Sequence, residues 1–245
     1  MIVEWQKSAA EYAVCYVESG MVVGLGSGRT AAFAVRRIGQ LLRTGRLQRI
    51  RGVPTSRQVE ALAREVGIPL TTLDRTPDVD VTIDGADEVD TRLNLIKGRG
   101  GAFLHEKVVA WATRCEIIVV DETKLVGKLG TRAPVPVEVV PCAREVVARA
   151  LRDLGAQPLL RVSEGEPVRT DEGNLILDCQ FDGIDDPWAL DRAIDAIPGV
   201  VEHGLFLGLA SMVVAAGRGG VRVLRADGVG QGGRACNRCE ASERH

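Results

Sequence analysis

The stretch that decides the fold reads MVVGLGSGRTAAFAVRRIGQLL and occupies residues 21–42. It begins with a short apolar run before a glycine-rich turn, which predicts a buried strand over residues 21–25. After the turn, apolar residues recur with a period near 3.6, which predicts a helix over residues 30–42. A strand, a glycine loop and a helix in this order are typical of a parallel α/β sheet.

The same alternation continues on both sides of this stretch. The pattern predicts helices over residues 5–18, 57–66 and 102–113, and strands over 49–53, 70–73, 79–83 and 116–120. We therefore expect an α/β fold built on a Rossmann-like parallel-sheet domain.

The pattern changes after Gly127, where three prolines surround the strand-like residues 135–139. A strand, a helix, two strands, a helix and a strand then follow, which is the order of a ferredoxin-like split βαβ module. We expect a small α+β domain over 130–204, inserted into a Rossmann-like catalytic domain of residues 1–129 plus 205–224. Residues 225–245 combine glycine with mixed charge and are expected to be a disordered tail.

Composition excludes several classes of protein. The 245 residues carry a net charge of −2 and only 4% aromatic side chains, so no bulk positive field or stacking surface predicts a nucleic-acid partner. The longest weakly polar run, residues 204–217, is too short to cross a membrane. Charged residues interrupt the first twenty positions, which excludes a signal-peptide core and predicts a cytoplasmic protein.

The six cysteines do not form a metal-binding pattern. Only Cys236 and Cys239 make a C-x-x-C pair. Two ligands without a second pair do not make a zinc site, so we expect no bound metal.

The first candidate site is the loop Gly24-Leu25-Gly26-Ser27-Gly28-Arg29-Thr30. Backbone N–H groups at a helix start attract anions, so this loop could hold a phosphate. A dinucleotide fingerprint would need a glycine where Arg29 stands and an acid after the second strand. A small phosphate ester therefore fits this loop better than a nucleotide does. A plain tight turn between strand and helix would produce the same sequence pattern.

The second candidate is Asp84-Gly85-Ala86-Asp87, which follows a predicted strand. Acids at the carboxyl end of a parallel strand point into the crevice where α/β ligands bind. A solvated turn with Asx-type capping is the competing interpretation. Glu88 and Asp90 are expected to be surface charges.

The third candidate is Lys97-Gly98-Arg99-Gly100-Gly101, which precedes a predicted helix carrying Glu106. A glycine run before a helix forms an anion-binding backbone nest. Near the helix start the macrodipole favours an ionised carboxylate, which suits a base. A simple preference for acids at helix starts would also explain Glu106. Lys124, after a strand, and Lys7 are weaker candidates for a phosphate contact.

Taken in order, these motifs resemble the A type of ribose-5-phosphate isomerase. The resemblance rests on the loop 24–30, the Asp-Gly-Ala-Asp of 84–87, the Lys-Gly run through Lys107 and the Thr-Lys of 123–124. It continues through 136–139, 170–174 and 196–200, and spans roughly residues 5–224.

The resemblance implies an aldose-ketose isomerase that interconverts ribose 5-phosphate and ribulose 5-phosphate through an enediol, without metal or organic cofactor, as a homodimer. It implies that Glu106 is the base, that Asp84 and Lys97 assist ring opening and stabilise the enediolate, and that Asp87 holds hydroxyls. The substrate contacts that it implies are Ser27, Gly28, Arg29, Thr30, Asp84, Gly85, Ala86, Asp87, Lys97, Gly98, Arg99, Gly100, Lys124 and Lys7.

The chain departs from the family pattern at several positions. Arg29 replaces a small hydroxyl residue, Arg99 replaces a glycine, and His105 stands where arginine is common. Ala210-Ser211 lacks an acid that is often found there. These departures concern substrate fit and rate, since the types of side chain needed for isomerisation are retained.

Two other functions compete with this interpretation. A sugar-phosphate sensor would need the phosphate loop but not the pair of Glu106 and Lys97. An acyl-CoA transferase would use a glutamate as nucleophile, which the Asp-Gly-Ala-Asp and Lys-Gly motifs argue against. Formation of ketose from ribose 5-phosphate without added metal or CoA would separate these functions.

Overall fold

The computed structural model describes residues 1–225. Within this range the helices are α1 (Ile2–Val14), α2 (Gly28–Arg43), α3 (Arg57–Glu65), α4 (Phe103–Trp111), α5 (Arg144–Asp153) and α6 (Pro187–Asp195). The strands are β1 (Val22–Leu25), β2 (Arg51–Pro54), β3 (Val79–Asp84), β4 (Glu88–Val89), β5 (Leu95–Ile96), β6 (Thr113–Asp121), β7 (Val135–Val139), β8 (Gln157–Leu160), β9 (Val162–Ser163), β10 (Glu166–Pro167), β11 (Leu175–Gln180), β12 (Val200–His203), β13 (Leu205–Phe206), β14 (Met212–Gly217) and β15 (Gly220–Arg225).

The chain divides into two compact units. Within the described residues, the first contains Met1–Gly85, His105–Thr123 and residues 208–225, and the second contains Ala86–Leu104 and Lys124–Leu207. The second unit is larger than the domain expected over 130–204, because β4 and β5 pair with β13 in a separate three-stranded sheet. The expected disordered tail lies outside the described residues, except Arg225, which ends β15.

The first unit is built on a six-stranded sheet with the order β15-β14-β6-β3-β1-β2. All neighbouring strands are parallel except β14 and β15. The carboxyl ends of β1, β3 and β6 therefore lie at one edge, as the alternating sequence pattern predicts. This confirms the α/β class.

The periodic apolar residues of helix α2 are the ones that pack into the core. Its buried positions Ala31, Ala34, Val35 and Ile38 follow the spacing of one helix face. The apolar face packs into the core of the first unit with Val23 of β1. Burying each large side chain of this kind contributes roughly 1.5–3 kcal/mol.

One predicted strand is wrong. Residues 70–73 contribute only a single bridge, between Leu70 and Gly52 of β2. The carbonyl of Thr72 accepts hydrogen bonds from the N–H groups of Arg75 and Thr76, so the chain turns instead of continuing along the sheet.

The second unit contains a four-stranded antiparallel sheet with the order β12-β7-β11-β8. In chain order these strands are fourth, first, third and second, which confirms the ferredoxin-like module. Val135, Val137 and Val139 on β7 belong to its apolar core. Among the described residues, no helix has the length and apolar character needed to cross a membrane.

Candidate active site

The glycine loop of the first unit joins β1 to α2. Ser27 is the N-cap residue of α2, and Gly28 has a φ of +87°, a left-handed conformation that suits glycine. The first turn of α2 contains no acid, so its positive end favours an anion. Gly28 and Arg29 are exposed and Thr30 is half-buried. These features suit the phosphate contact that the sequence predicts for this loop.

Asp84, at the end of β3, holds this loop in place. It is 1% exposed, and its Oδ1 accepts hydrogen bonds from the N–H groups of Ser27 at 3.0 Å and Gly85 at 2.7 Å. A Cβ at Gly26 would lie 2.4 Å from both the Cα and the Oδ1 of Asp84. Glycine at position 26 is thus what allows the end of β1 to approach the aspartate.

Ser27 also connects the loop to the segment between β2 and α3. Its hydroxyl lies 2.8 Å from the Thr55 hydroxyl and donates to the Ser56 hydroxyl at 3.0 Å. Ser56 in turn caps α3 by accepting the N–H of Val59 at 3.2 Å. Thr55 and Ser56 were not identified from the sequence, because their position beside Ser27 depends on the parallel pairing of β1 with β2.

Glu106 lies in the first turn of α4 and is only 6% exposed. An acid selected only for its preference for helix starts would be solvated, so burial argues against that interpretation. His105 and Lys107, on either side, are half-buried. Glu106 therefore has the water-poor surroundings and the helix-start position that suit a general base.

In the second unit, Lys97 follows β5 and is 2% exposed. Its N–H donates to the carbonyl of Gly204 at 2.9 Å, and its ammonium lies 5.3 Å from the centroid of the Phe206 ring. Gly98 has a φ of +108°, and a Cβ there would lie 2.6 Å from Phe103 and from Pro136. Backbone and ring contacts thus hold a buried cation at the start of the glycine run.

Asp87 and Arg99 meet in the same unit. The N–H of Arg99 donates to Oδ2 of Asp87 at 3.0 Å, and the N–H of Asp87 donates to the carbonyl of Ile96 at 2.8 Å. The φ of Arg99 is not left-handed and its side chain is exposed. Arginine therefore causes no backbone strain where the family pattern has glycine.

Glu88 corrects an expectation. It is fully buried rather than a surface charge, and its carboxylate accepts hydrogen bonds from the N–H groups of Gly130 at 2.6 Å, Ala133 at 2.7 Å and Arg132. Asp90 is half-buried and accepts the N–H groups of Arg92 and Asn94, both at 2.8 Å. Both acids organise loops of the second unit.

Lys124 ends a 3-10 turn that follows β6 and is half-buried. Asp121, 2% exposed, fixes this turn, because its Oδ1 accepts both the N–H of Thr123, at 3.1 Å, and its hydroxyl. Oδ2 of Asp121 accepts Nε2 of Gln6 at 2.9 Å. Lys7, the neighbour predicted to contact the substrate, is exposed on α1.

Gln6 and Asp121 were not identified from the sequence, although the pattern of α1 could have pointed to Gln6. The buried positions of α1 include Gln6, Ala9, Ala10 and Ala13, so a polar residue stands on an otherwise apolar helix face. A buried amide needs a polar partner, and Asp121 supplies it.

One cluster in the second unit has the residue types of a metal site. Nε2 of His203 lies 3.1 Å from Oδ1 of Asp195 and 3.5 Å from Oδ1 of Asp191. However, the N–H of Leu205 donates to Nδ1 of His203 at 3.2 Å, so in the neutral ring the proton lies on Nε2. That proton occupies the lone pair a metal would need, so the cluster fits a histidine facing carboxylates rather than a set of ligands.

Comparisons with known proteins agree with this geometry. The family described as ribose 5-phosphate isomerase A (phosphoriboisomerase A) matches residues 51–220. A ribose-5-phosphate isomerase A from Roseiflexus castenholzii is 55% identical over 218 residues, which are 89% of this chain and 93% of that protein.

Solved structures extend the similarity to the fold. A D-ribose-5-phosphate isomerase in complex with phospho-erythronic acid has a TM-score of 0.90 at 42% identity, covering 92% of this chain and 99% of the other. Ribose 5-phosphate isomerase A from Methanocaldococcus jannaschii has a TM-score of 0.87 at 43% identity, covering 91% and 98%. This chain is therefore a member of the ribose 5-phosphate isomerase A family.

Proposed function

We propose that this protein interconverts D-ribose 5-phosphate and D-ribulose 5-phosphate through an enediolate. The observation that carries the proposal is the burial of Glu106, 6% exposed in the first turn of α4. Removing a proton beside a carbonyl requires a positioned carboxylate, and a water-poor setting makes its interactions stronger.

In the proposed reaction, Glu106 removes the proton from C2 of the open-chain aldehyde. The C–H electron pair forms the C1–C2 double bond, and the carbonyl electrons move to O1. Glu106 then returns a proton to C1, while the proton on O2 is transferred to O1, giving a ketone at C2 and a hydroxyl at C1. Atoms and electrons balance without an oxidant.

Lys97 and Asp84 have the complementary roles. The Lys97 ammonium stabilises the negative charge that develops on oxygen in the enediolate. The Asp84 carboxylate, with Oδ1 held by two backbone amides, assists ring opening and the transfer of protons between O1 and O2. Oδ2 of Asp87 holds the Arg99 amide, and its other oxygen binds substrate hydroxyls.

The phosphate is assigned to the loop of Ser27, Gly28, Arg29 and Thr30 at the start of α2, with Lys124 as a further contact. Lys7 is a weaker contact, since it is exposed on α1. A solved relative binds phospho-erythronic acid, which supports a site for a phosphorylated sugar acid or sugar in this family. That molecule carries a planar anionic carboxylate at one end and a phosphate at the other, like the enediolate.

Catalysis is favoured over a sensor role. The relatives are named as isomerases, and a sensor would have no use for the buried Glu106. Purified protein should form ketose from ribose 5-phosphate without added metal or CoA. If folded protein formed no ketose under these conditions, the proposal would be contradicted.

The residue assignment has its own test. General-base catalysis contributes about 100- to 10,000-fold, so Glu106→Gln should lower kcat by that range while ribose 5-phosphate still binds. Glu11→Gln, at an exposed glutamate of α1, is the matched control and should leave turnover unchanged. Normal turnover of Glu106→Gln would reject the assignment.

We also propose a cytoplasmic homodimer. Phosphorylated pentoses are charged and remain in the compartment where they form.

The second unit exposes the large apolar side chains of Leu159, Val162 and Trp188, at 69%, 57% and 46%, which a subunit contact would cover. Sedimentation should give twice the 26.3 kDa chain mass. A monomer mass at micromolar concentration would contradict the dimer.

A further inference from the structure

The side chain of Arg161 donates four hydrogen bonds within the second unit. Arg161 lies between β8 and β9 and is 15% exposed at its side chain. Its Nε donates to Oδ2 of Asp178 at 2.8 Å, and one terminal nitrogen donates to Oδ1 of the same carboxylate. This two-point pair with a residue of β11 fixes the plane of the guanidinium.

The other terminal nitrogen reaches the glycine run that carries Lys97. It donates to the carbonyl of Gly98 at 3.0 Å and to the carbonyl of Arg99 at 3.0 Å. The guanidinium has five N–H groups, and these contacts use four of them. Because Asp178 also neutralises its charge, Arg161 is suited to hold the loop rather than to bind a substrate anion.

The contacts orient two successive peptide units. In a trans peptide the C=O and the N–H point in opposite directions. Arg161 holds the carbonyl of the Gly98–Arg99 peptide while Asp87 accepts its N–H at 3.0 Å. Arg161 also holds the carbonyl of the Arg99–Gly100 peptide, so the Gly100 N–H is directed away from the guanidinium.

We propose that Arg161, locked by Asp178, is a positioning residue for the isomerase reaction: it sets the Lys97–Gly100 loop so that the Lys97 ammonium and the Gly100 N–H are preorganised for the enediolate. The inference rests on the proposed function. Preorganised donors act on charge that develops during the reaction, so their misplacement affects turnover more than binding of the neutral aldehyde end.

The test is the separate measurement of kcat and KM for ribose 5-phosphate in Arg161→Met. Misplacing a catalytic group by about 1 Å can cost on the order of 100-fold, so kcat should fall roughly 10- to 100-fold with KM within about threefold. Arg161→Lys retains a cation for Asp178 but not the fork, and should recover only part of kcat.

Arg169→Met is the matched control. Arg169 lies in the same unit, is exposed, and donates to a single loop carbonyl, that of Gly173, at 2.7 Å. It should leave kcat unchanged. Circular dichroism and thermal unfolding of each variant separate a loss of folded protein from a loss of turnover, and Arg161→Lys supplies the kinetic test if Arg161→Met does not fold.

A coupling measurement adds a second readout. If Arg161 acts through its pairing with Asp178, Asp178→Asn should lower kcat as well, and the double variant should lose less than the product of the two single losses. Folded Arg161 variants with wild-type kcat would overturn this inference and leave the proposed function intact. An inactive wild-type protein would instead overturn the proposed function.

Discussion

At the scale of single residues, Gly26 shows that a missing methyl group shapes the site. A Cβ at this position would lie 2.4 Å from Asp84 and from the carbonyl of Ile83. Gly26→Ala should therefore lower the free energy of unfolding by roughly 1–3 kcal/mol. It should also lower kcat, because Asp84 must move. Denaturant unfolding and steady-state kinetics measure the two effects.

Gly219→Ala is the control for this prediction. A Cβ at Gly219 meets no atom within 4 Å, and its φ is not left-handed. This variant should match the wild type in both measurements. Equal behaviour of Gly26→Ala and Gly219→Ala would show that the close approach to Asp84 has no energetic consequence.

Two glutamates show what the sequence could predict about single residues. The position of Glu106 after a glycine run indicated a base, although a helix-start charge remained possible until its burial was known. Glu88 was expected at the surface and is fully buried. Its partners are the N–H groups of residues 130, 132 and 133, more than forty positions away, so no local pattern could reveal them.

At the scale of elements, two helix caps should separate stability from substrate binding. Ser56 caps α3 and accepts the Ser27 hydroxyl, whereas Asp186 caps α6 by accepting the N–H of Ala189 at 3.0 Å. Ser56→Ala and Asp186→Ala should each cost about 1 kcal/mol of unfolding free energy. Only Ser56→Ala should raise KM, because it removes a hydrogen-bond partner of Ser27, in the loop that we propose binds the phosphate.

The comparison of these caps needs both unfolding curves and KM values. Each variant then serves as the other's control, since both remove one cap hydrogen bond. An equal rise of KM in both variants would contradict a specific link between Ser56 and the loop.

Elements that form through local interactions could be predicted from the sequence, whereas those that depend on long-range pairing could not. Helices such as α2 and strands such as β3 were predicted within a few residues, because their periodicity is local. The segment 86–104 was assigned to the first domain, yet it belongs to the second unit. The pairing of β5 with β13 decides this, and more than one hundred residues separate these strands in the sequence.

At the scale of the whole molecule, Cys179 links pH to stability. Burial, together with the negative charge of Asp178, raises the pKa of its thiol from 9.0 to about 12. The folded protein thus keeps the thiol protonated where the unfolded chain loses the proton. The contribution to stability is complete below pH 9 and is lost as the pH rises from 9 to 12, by roughly 1.4 kcal/mol per pH unit.

Denaturant unfolding of the wild type and of Cys179→Ala between pH 8 and pH 11 measures this contribution. The stability difference between them should shrink above pH 9. Cys15→Ala, at an exposed cysteine, controls for the loss of a sulfur atom. A difference that stays constant over this range would contradict the prediction.

The composition of the whole chain fits recognition of phosphate by local groups. A net charge of −2 provides no general attraction for an anion, which agrees with the proposal that the start of α2 and a few cations attract the phosphate. The ordered set of motifs was enough to predict the family. The contacts of Arg161, Gln6 and Asp121 required the three-dimensional structure.

The measurement that tests the central claim most directly is a crystal structure of Glu106→Gln with ribose 5-phosphate bound in its open-chain form. We predict that the side-chain amide at position 106 lies about 3–3.5 Å from C2 of the sugar, the separation of a reactive geometry. A bound pentose phosphate whose C1 and C2 lie far from this side chain would contradict the account.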